Sequence, residues 1–151
     1  MVRQRVFLLA GYFFVLVPTH IPWLAIPLFE PNIWITWIGV ALCLLGFGFS
    51  VWARFALGAN WSGTVTLKEN HQLIQEGPYS WVRHPIYTGL LTATLGTALN
   101  TDRVGALLGL GLALLGLHLK MMVEERFMLE QFGPAYTAYA RKVKKLIPFV
   151  Y

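Results

Sequence analysis

Pro31 to Ala53, PNIWITWIGVALCLLGFGFSVWA, passes without one Asp, Glu, Lys or Arg. A helix needs roughly 20 apolar residues to cross the hydrocarbon core of a bilayer, and this stretch supplies them. Working outward, three more stretches lack the four charged types: Val6–Phe29 before it, and Pro85–Thr101 and Val104–Leu119 after it. The last two are short and gain length at their ends, where a side chain such as Lys120 snorkels to the headgroups. Pro18, Pro22 and Pro27 predict a kink or an early end in the first stretch, because proline lacks the N–H that a helix interior uses. The reading is all-α: an integral membrane bundle of about four transmembrane helices with a short cytosolic C-terminal helix.

Composition agrees with that reading. The 151 residues are 56% hydrophobic and only 13% charged, against roughly 25% charged in a soluble domain. Length allows one domain: residues 1–53 as the first two spans, 54–84 as a cytosolic connection, and 85–151 as a helical hairpin with a cofactor-binding C-terminal part. Arg3 and Arg5 before an apolar run resemble the start of a signal peptide, but no small-residue cleavage site follows, so the run is expected to be a retained span.

The net charge of +5 sits at the ends of apolar runs, which points to membrane orientation rather than to nucleic acid. With four spans, eleven of the twelve basic residues fall on one side and only Arg103 on the other. The positive-inside rule then sets both termini in the cytoplasm, in an inner (cytoplasmic) membrane. Trp34, Trp37 and Trp52 stand near span mouths, as interfacial tryptophans do. The spacing of Thr88, Thr92 and Gly96, and of Gly105 and Gly109, is that of small residues that let helices pack closely in lipid. It predicts a tight hairpin of the third and fourth spans. Cys43 is the only cysteine and reads as a small packing residue. His20, His71, His84 and His118 show no metal-ligand spacing, so no metal is expected.

Two polar clusters remain. Pro85 suits the first turn of a helix, which puts Arg83 and His84 at the N-terminus of the third span. Unpaired N–H groups, the helix dipole and a guanidinium together favour an anion there; the plainer alternative is a membrane anchor and a cap. At the end of the fourth span His118, Met122 and Glu125 share a helix face, and Glu124 is placed to pair with Lys120. Paired acids beside a membrane often mark a site, and the plainer alternative is an interfacial ion pair. The hairpin would set Arg83 and His84 on one wall of a cytosolic pocket and Glu124 and Glu125 on the other.

Gly77-Pro78-Tyr79, Arg83-His84-Pro85-Ile86-Tyr87-Thr88-Gly89, Glu124-Glu125, and Phe132-Gly133 through Tyr136 and Tyr139 to Pro148 resemble the isoprenylcysteine carboxyl methyltransferase family. The Arg-His-Pro-x-Tyr-x-Gly and Glu-Glu elements are also similar to those of phospholipid methyltransferases. The resemblance runs from about Arg54 to Phe149. It implies methyl transfer from S-adenosylmethionine to a lipid-soluble acceptor at the cytosolic face. It implies that Tyr79, His84, Pro85, Tyr87, Glu124 and Glu125 line the cofactor site. An amine or thiol acceptor would have a proton to lose, for which His84, Glu125 or bulk water is available. The resemblance also implies that Arg83 orients the substrate or the cofactor carboxylate, and that Lys142 stands where the family often has an arginine beside the substrate carboxylate. Lysine keeps the charge of that arginine but not its bidentate grip. Other readings of the same residues are N-methylation of a phospholipid or another small amine or thiol, an NADPH-dependent membrane reductase, and a non-enzymatic membrane scaffold.

Overall fold

The structure is a computed structural model, and it describes residues 2–16, 21–58 and 72–151, without the side chains of residues 2 and 3. Pro18, His20, Lys68 and His71 lie outside the described residues. The described residues form five α-helices: α1 Val2–Leu16, α2 Ile33–Leu57, α3 Pro85–Thr101, α4 Val104–Phe132 and α5 Pro134–Lys142. Short 3₁₀ turns lie at Pro22–Leu24 and Gly77–Ser80.

Among the described residues two helices are long and apolar enough to cross a membrane, α2 with 25 residues and α4 with 29. At 1.5 Å per residue they reach about 37 and about 43 Å, beyond a hydrocarbon core of about 30 Å. The first apolar stretch ends early, as its prolines predict. It is no continuous span to Phe29, since α1 stops at Leu16 and the chain from Ile21 is a 3₁₀ turn followed by irregular backbone. Pro22 and Pro27 each remove a helix donor there.

Helix boundaries follow local chemistry. Asn32 caps α2 by accepting the Trp34 N–H at 2.9 Å, and Pro85 opens α3. Asp102 ends α3 in the left-handed region at φ 49°, which Asp tolerates better than most residues. Its carboxylate accepts the N–H groups of Leu28 and Phe29 at 3.0 and 3.1 Å. The α3–α4 turn is thereby clipped to the chain that follows α1. Gly133, at φ 49°, separates α4 from α5. Helix α5 stops at Lys142, where Val143 turns extended and the carbonyls of residues 143–145 accept from Arg83 and His84.

The small residues also act differently from expectation. They join α3 to α2 and α4 to α1, rather than α3 to α4. A Cβ on Gly46 would stand 2.5 Å from the Ala93 nitrogen and the Gly89 oxygen, and one on Gly11 2.7 Å from the Ala113 nitrogen. Backbones thus touch within the α2–α3 and α1–α4 pairs, and these two pairs hold most of the helix contacts. Connectivity alone does not choose the tightest neighbour: the glycines of α3 and α4 meet glycines on α2 and α1, and backbone contact needs a small residue on both sides. Cys43 packs in the α2–α3 seam, with its Sγ 3.3 Å from the Ala93 oxygen.

Candidate active site

The start of α3 and the far end of α4 meet at one end of the bundle. Glu124 and Glu125 lie past the apolar stretch Val104–Leu119, on the same continuous helix. His84 is the N-cap residue of α3 and Tyr87 lies in its first turn. Pro85 is buried and carries no donor; its contribution is to start the helix where His84 and Tyr87 face α4.

The expected opposite walls are in direct contact. The Arg83 Nε and Nη2 both donate to Glu125 Oε1. His84 Nε2 stands 3.3 Å from the same oxygen, and Lys145 Nζ 3.1 Å from Oε2. Burial alone would push the Glu125 carboxyl up. Hydrogen bonds from His84 and Arg83, the Arg83 charge and the Lys145 hydrogen bond outweigh it, and the carboxyl falls from 4.5 to about 2. Glu125 is therefore a permanent anion. The carboxylate expected at the α3 N-terminus is the chain's own, and oppositely charged groups on facing helices have closed on each other.

Arg83 is also a clasp for the C-terminal segment. Its Nη1 donates to the Ala140 and Val143 carbonyls, and its side chain is only 8% exposed. Four of its five N–H groups are thus committed within the chain. The backbone continues the clasp: Arg83 N–H donates to the Lys144 carbonyl and His84 N–H to the Lys145 carbonyl, at 2.7 and 3.0 Å. Thr88 Oγ1 donates to the Leu146 carbonyl at 2.8 Å. The N–H groups of Arg83 and His84, just before α3, are thus met by residues 144 and 145, and the Thr88 hydroxyl by residue 146.

Glu124 differs from its neighbour. Its Oε1 accepts the Tyr87 hydroxyl at 2.6 Å, and its Oε2 lies 3.7 Å from His84 Nδ1. The expected Lys120 pairing is long, at 3.8 Å. The His84 and Tyr87 rings stack with centroids 5.6 Å apart and planes 10° from parallel. Lys120 Nζ lies 5.2 Å from the Tyr87 ring centroid, so that ring face already holds a cation. Tyr79 is buried nearby. Burial pushes its hydroxyl well above the usual phenol value, and Tyr139 and Glu124 add to the effect.

The structure therefore brings Tyr79, Arg83, His84, Tyr87, Glu124 and Glu125 together. Lys142 stands apart: it is exposed on the last turn of α5, while Lys145 reaches Glu125. Sequence reasoning passed over Lys145, because in a run of basic residues nothing separates an ion-pair partner from a membrane anchor. It also gave no role to Tyr136 and Tyr139. Tyr139 donates to the Tyr79 carbonyl at 2.6 Å. Burial and then the Glu125 charge push the Tyr136 hydroxyl up to about 12. Their spacing of three after the Gly133-Pro134 break was the available signal, since it puts both on one face of α5. His118, seven residues before Glu125 on α4, is held by Tyr151, whose hydroxyl is 2.9 Å from its Nδ1. Among the described residues no group of His, Cys, Asp or Glu is arranged to hold a metal ion.

Comparison with known proteins bears on this arrangement. Protein-S-isoprenylcysteine O-methyltransferase of Xenopus laevis is 31% identical over 120 residues, covering 78% of this chain and 42% of the relative. The Saccharomyces cerevisiae protein of the same name is 30% identical over 118 residues, covering 76% of this chain and 49% of the relative. The chain thus spans about half the length of the curated relatives it matches. The solved structure of the eukaryotic intramembrane Ras methyltransferase, isoprenylcysteine carboxyl methyltransferase, superposes with a TM-score of 0.70 at 25% identity. That match covers 98% of this chain and 53% of the other. These relatives are methyltransferases, and none of them favours the reductase or scaffold reading. The phospholipid methyltransferase family model matches residues 34–135, which include every residue of the Arg83–Glu125 cluster except Lys145 and Tyr136, and the chain belongs to that family.

Proposed function

We propose that this protein is a membrane methyltransferase that uses S-adenosylmethionine and methylates a lipid-soluble acceptor of the isoprenylcysteine carboxylate class. Four helices, α1 to α4, form the membrane part in this reading, with both termini on the cytosolic side. One observation carries it: Glu124, hydrogen-bonded to Tyr87 beside the His84–Tyr87 stack, at the end of apolar helices.

The residues present fit such a donor. A ring that already faces the Lys120 ammonium suits a sulfonium or an α-ammonium, and a carboxylate accepts ribose hydroxyls or an ammonium. Glu124, His84, Tyr87 and Tyr79 are the residues that would hold it. When bound, S-adenosylmethionine would supply an activated methyl group for the acceptor oxygen. A carboxylate acceptor has no proton to lose, so the chain need supply no general base for it. Its contribution is alignment of the two reactants.

Roles divide between the two acids. Glu125, Arg83 and Lys145 fix α3, α4 and the C-terminal segment relative to one another, and so hold His84 and Tyr87 in place. Glu124 is the acid that remains to meet a ligand. Lys142, exposed one turn from the clasp, is free to meet the acceptor's carboxylate as a point charge.

The test is calorimetric titration of the protein in detergent with S-adenosylhomocysteine, beside Glu124→Gln and Tyr87→Phe. Saturable binding weakened about tenfold or more in each variant, the cost of one charge-assisted hydrogen bond, supports the site. Methylation of a farnesylated cysteine and not of an ethanolamine phospholipid fixes the acceptor class. Absence of binding by folded protein refutes the proposal.

A further inference from the structure

Residues 131–151 contain no Asp or Glu, but four basic residues within Arg141–Lys145 and then the apolar run Leu146-Ile-Pro-Phe-Val-Tyr151. Arg141, Lys142 and Lys144 are exposed. Ile147 is 54% exposed, Phe149 96% and Val150 71%. An apolar tip this open is unusual for a segment whose two ends are firmly held.

The tip is built rather than loose. The Tyr151 carbonyl accepts the N–H groups of Leu146 and Ile147 at 2.7 and 2.8 Å, and the Ile147 carbonyl accepts those of Val150 and Tyr151. This double closure holds Phe149 at φ 66°, a conformation that bulky residues rarely adopt. Its ring is directed away from the bundle as a result. The depth of the tip is set by Tyr151, which hydrogen-bonds and stacks on His118, and His118 belongs to the apolar stretch Val104–Leu119. The tip therefore stands level with the end of that stretch, where hydrocarbon gives way to headgroups. The basic residues lie at the α5 side of it.

We propose that Ile147, Phe149 and Val150 form an interfacial anchor that enters the leaflet beside the site, with Arg141 and Lys144 taking the phosphate and carboxylate groups of acidic lipids. Apolar side chains followed by a basic cluster are the chemistry that an acidic membrane surface recognises. The strap between anchor and site is short: carbonyls 144–146 hold Arg83, His84 and Thr88. Lipid at the tip thus bears directly on the α3 N-terminus. The inference rests on the membrane location of the chain and not on the methyl-transfer reading, so either can fail alone.

The test uses the full chain in vesicles with Cys43→Ala as background. A spin label is placed by Phe149→Cys, by Val150→Cys (which sits outside the left-handed position), and by Glu130→Cys as an exposed reference. Collision with oxygen is compared with collision with a water-soluble nickel chelate, in phosphatidylcholine vesicles and in vesicles containing phosphatidylserine. At 149 and 150 oxygen collisions are expected to prevail, more so with phosphatidylserine, while at 130 the chelate prevails. Arg141→Gln with Lys144→Gln is expected to lower the docked-to-free ratio about fivefold per charge removed in the acidic vesicles. Chelate access at 149 and 150 equal to that at 130 overturns the proposal. So does a tip that is immersed but indifferent to lipid charge. Dipolar broadening between labelled copies would overturn it in favour of self-association.

Discussion

Replacing Glu125 with Gln removes the anion that Arg83, His84 and Lys145 share. The carboxyl lies about 2.5 units below its ordinary value, having moved from 4.5 to about 2. At 1.36 kcal/mol per unit, that corresponds to about 3 kcal/mol of native-state stabilisation. The carboxylate is 17% exposed, so solvent screening removes little of it. A second route gives the same scale: removing one partner of a buried ion pair costs about 3–5 kcal/mol. The loss falls on the clasp, because the guanidinium also carries the Ala140 and Val143 carbonyls. Trypsin reads it, since Arg141, Lys142 and Lys144 lie in the clasped segment. When opening is fast relative to cleavage, the cleavage rate follows the open population. The variant in detergent is therefore expected to be cut there about a hundredfold faster. The sign with pH is fixed as well. Folding depresses this carboxyl, so its contribution is complete above pH 4.5 and is lost as pH falls toward 2. Cleavage of Glu125→Gln within twofold of wild type, together with additive effects of Glu125→Gln and Arg83→Gln, would refute the reasoning.

Two further outcomes are expected. Gly89→Leu would drive a side chain into Ser50 Oγ and the backbone of Gly46 and Ser50; overpacking against backbone costs about 3 kcal/mol or more. Thermal unfolding in detergent should show a large loss, while Gly48→Leu, where nothing lies within 4 Å, should show none. Burial pushes the Tyr79 and Tyr139 hydroxyls well above 10. They keep their protons when folded, so the unfolded chain gains stability as pH rises past about 10. The melting temperature should fall over that range, with delayed phenolate absorbance near 295 nm in the folded protein; a flat profile would contradict it.

Helix content was legible because charge-free runs are long and their ends carry recognisable punctuation. Pro85, Gly133-Pro134 and the acid pair fixed the pieces of the site to within a turn. Partner choice was not legible. Gly96 and Gly109 announce close packing, yet a spacing of four says nothing about which helix approaches, and here α2 and α1 do. The site's interior was half legible. Arg83, His84, Tyr87, Glu124 and Glu125 stand out by type and motif, whereas Lys145 and the carbonyls of residues 144–146 do not. Backbone carbonyls leave no mark in a sequence, and the fourth charge in a basic run looks like the other three. The same cause misdirected the anion expectation: whether a helix N-terminus is open depends on a segment about sixty residues later in the chain.

The pairing of α2 with α3 and of α1 with α4 has a mechanical meaning. Each pair is locked by backbone contact and forms one stiff arm. The arms are joined at one end by the short α3–α4 turn and the Asp102 clip, and at the other by the charges around Glu125. The bundle has the layout of tongs, with a pivot on one face of the membrane and a catch on the other. Salt or a competing cation acts on the ion pairs of the catch, whereas the Asp102 clip is made to backbone N–H groups, so spreading by salt begins at the Glu125 end.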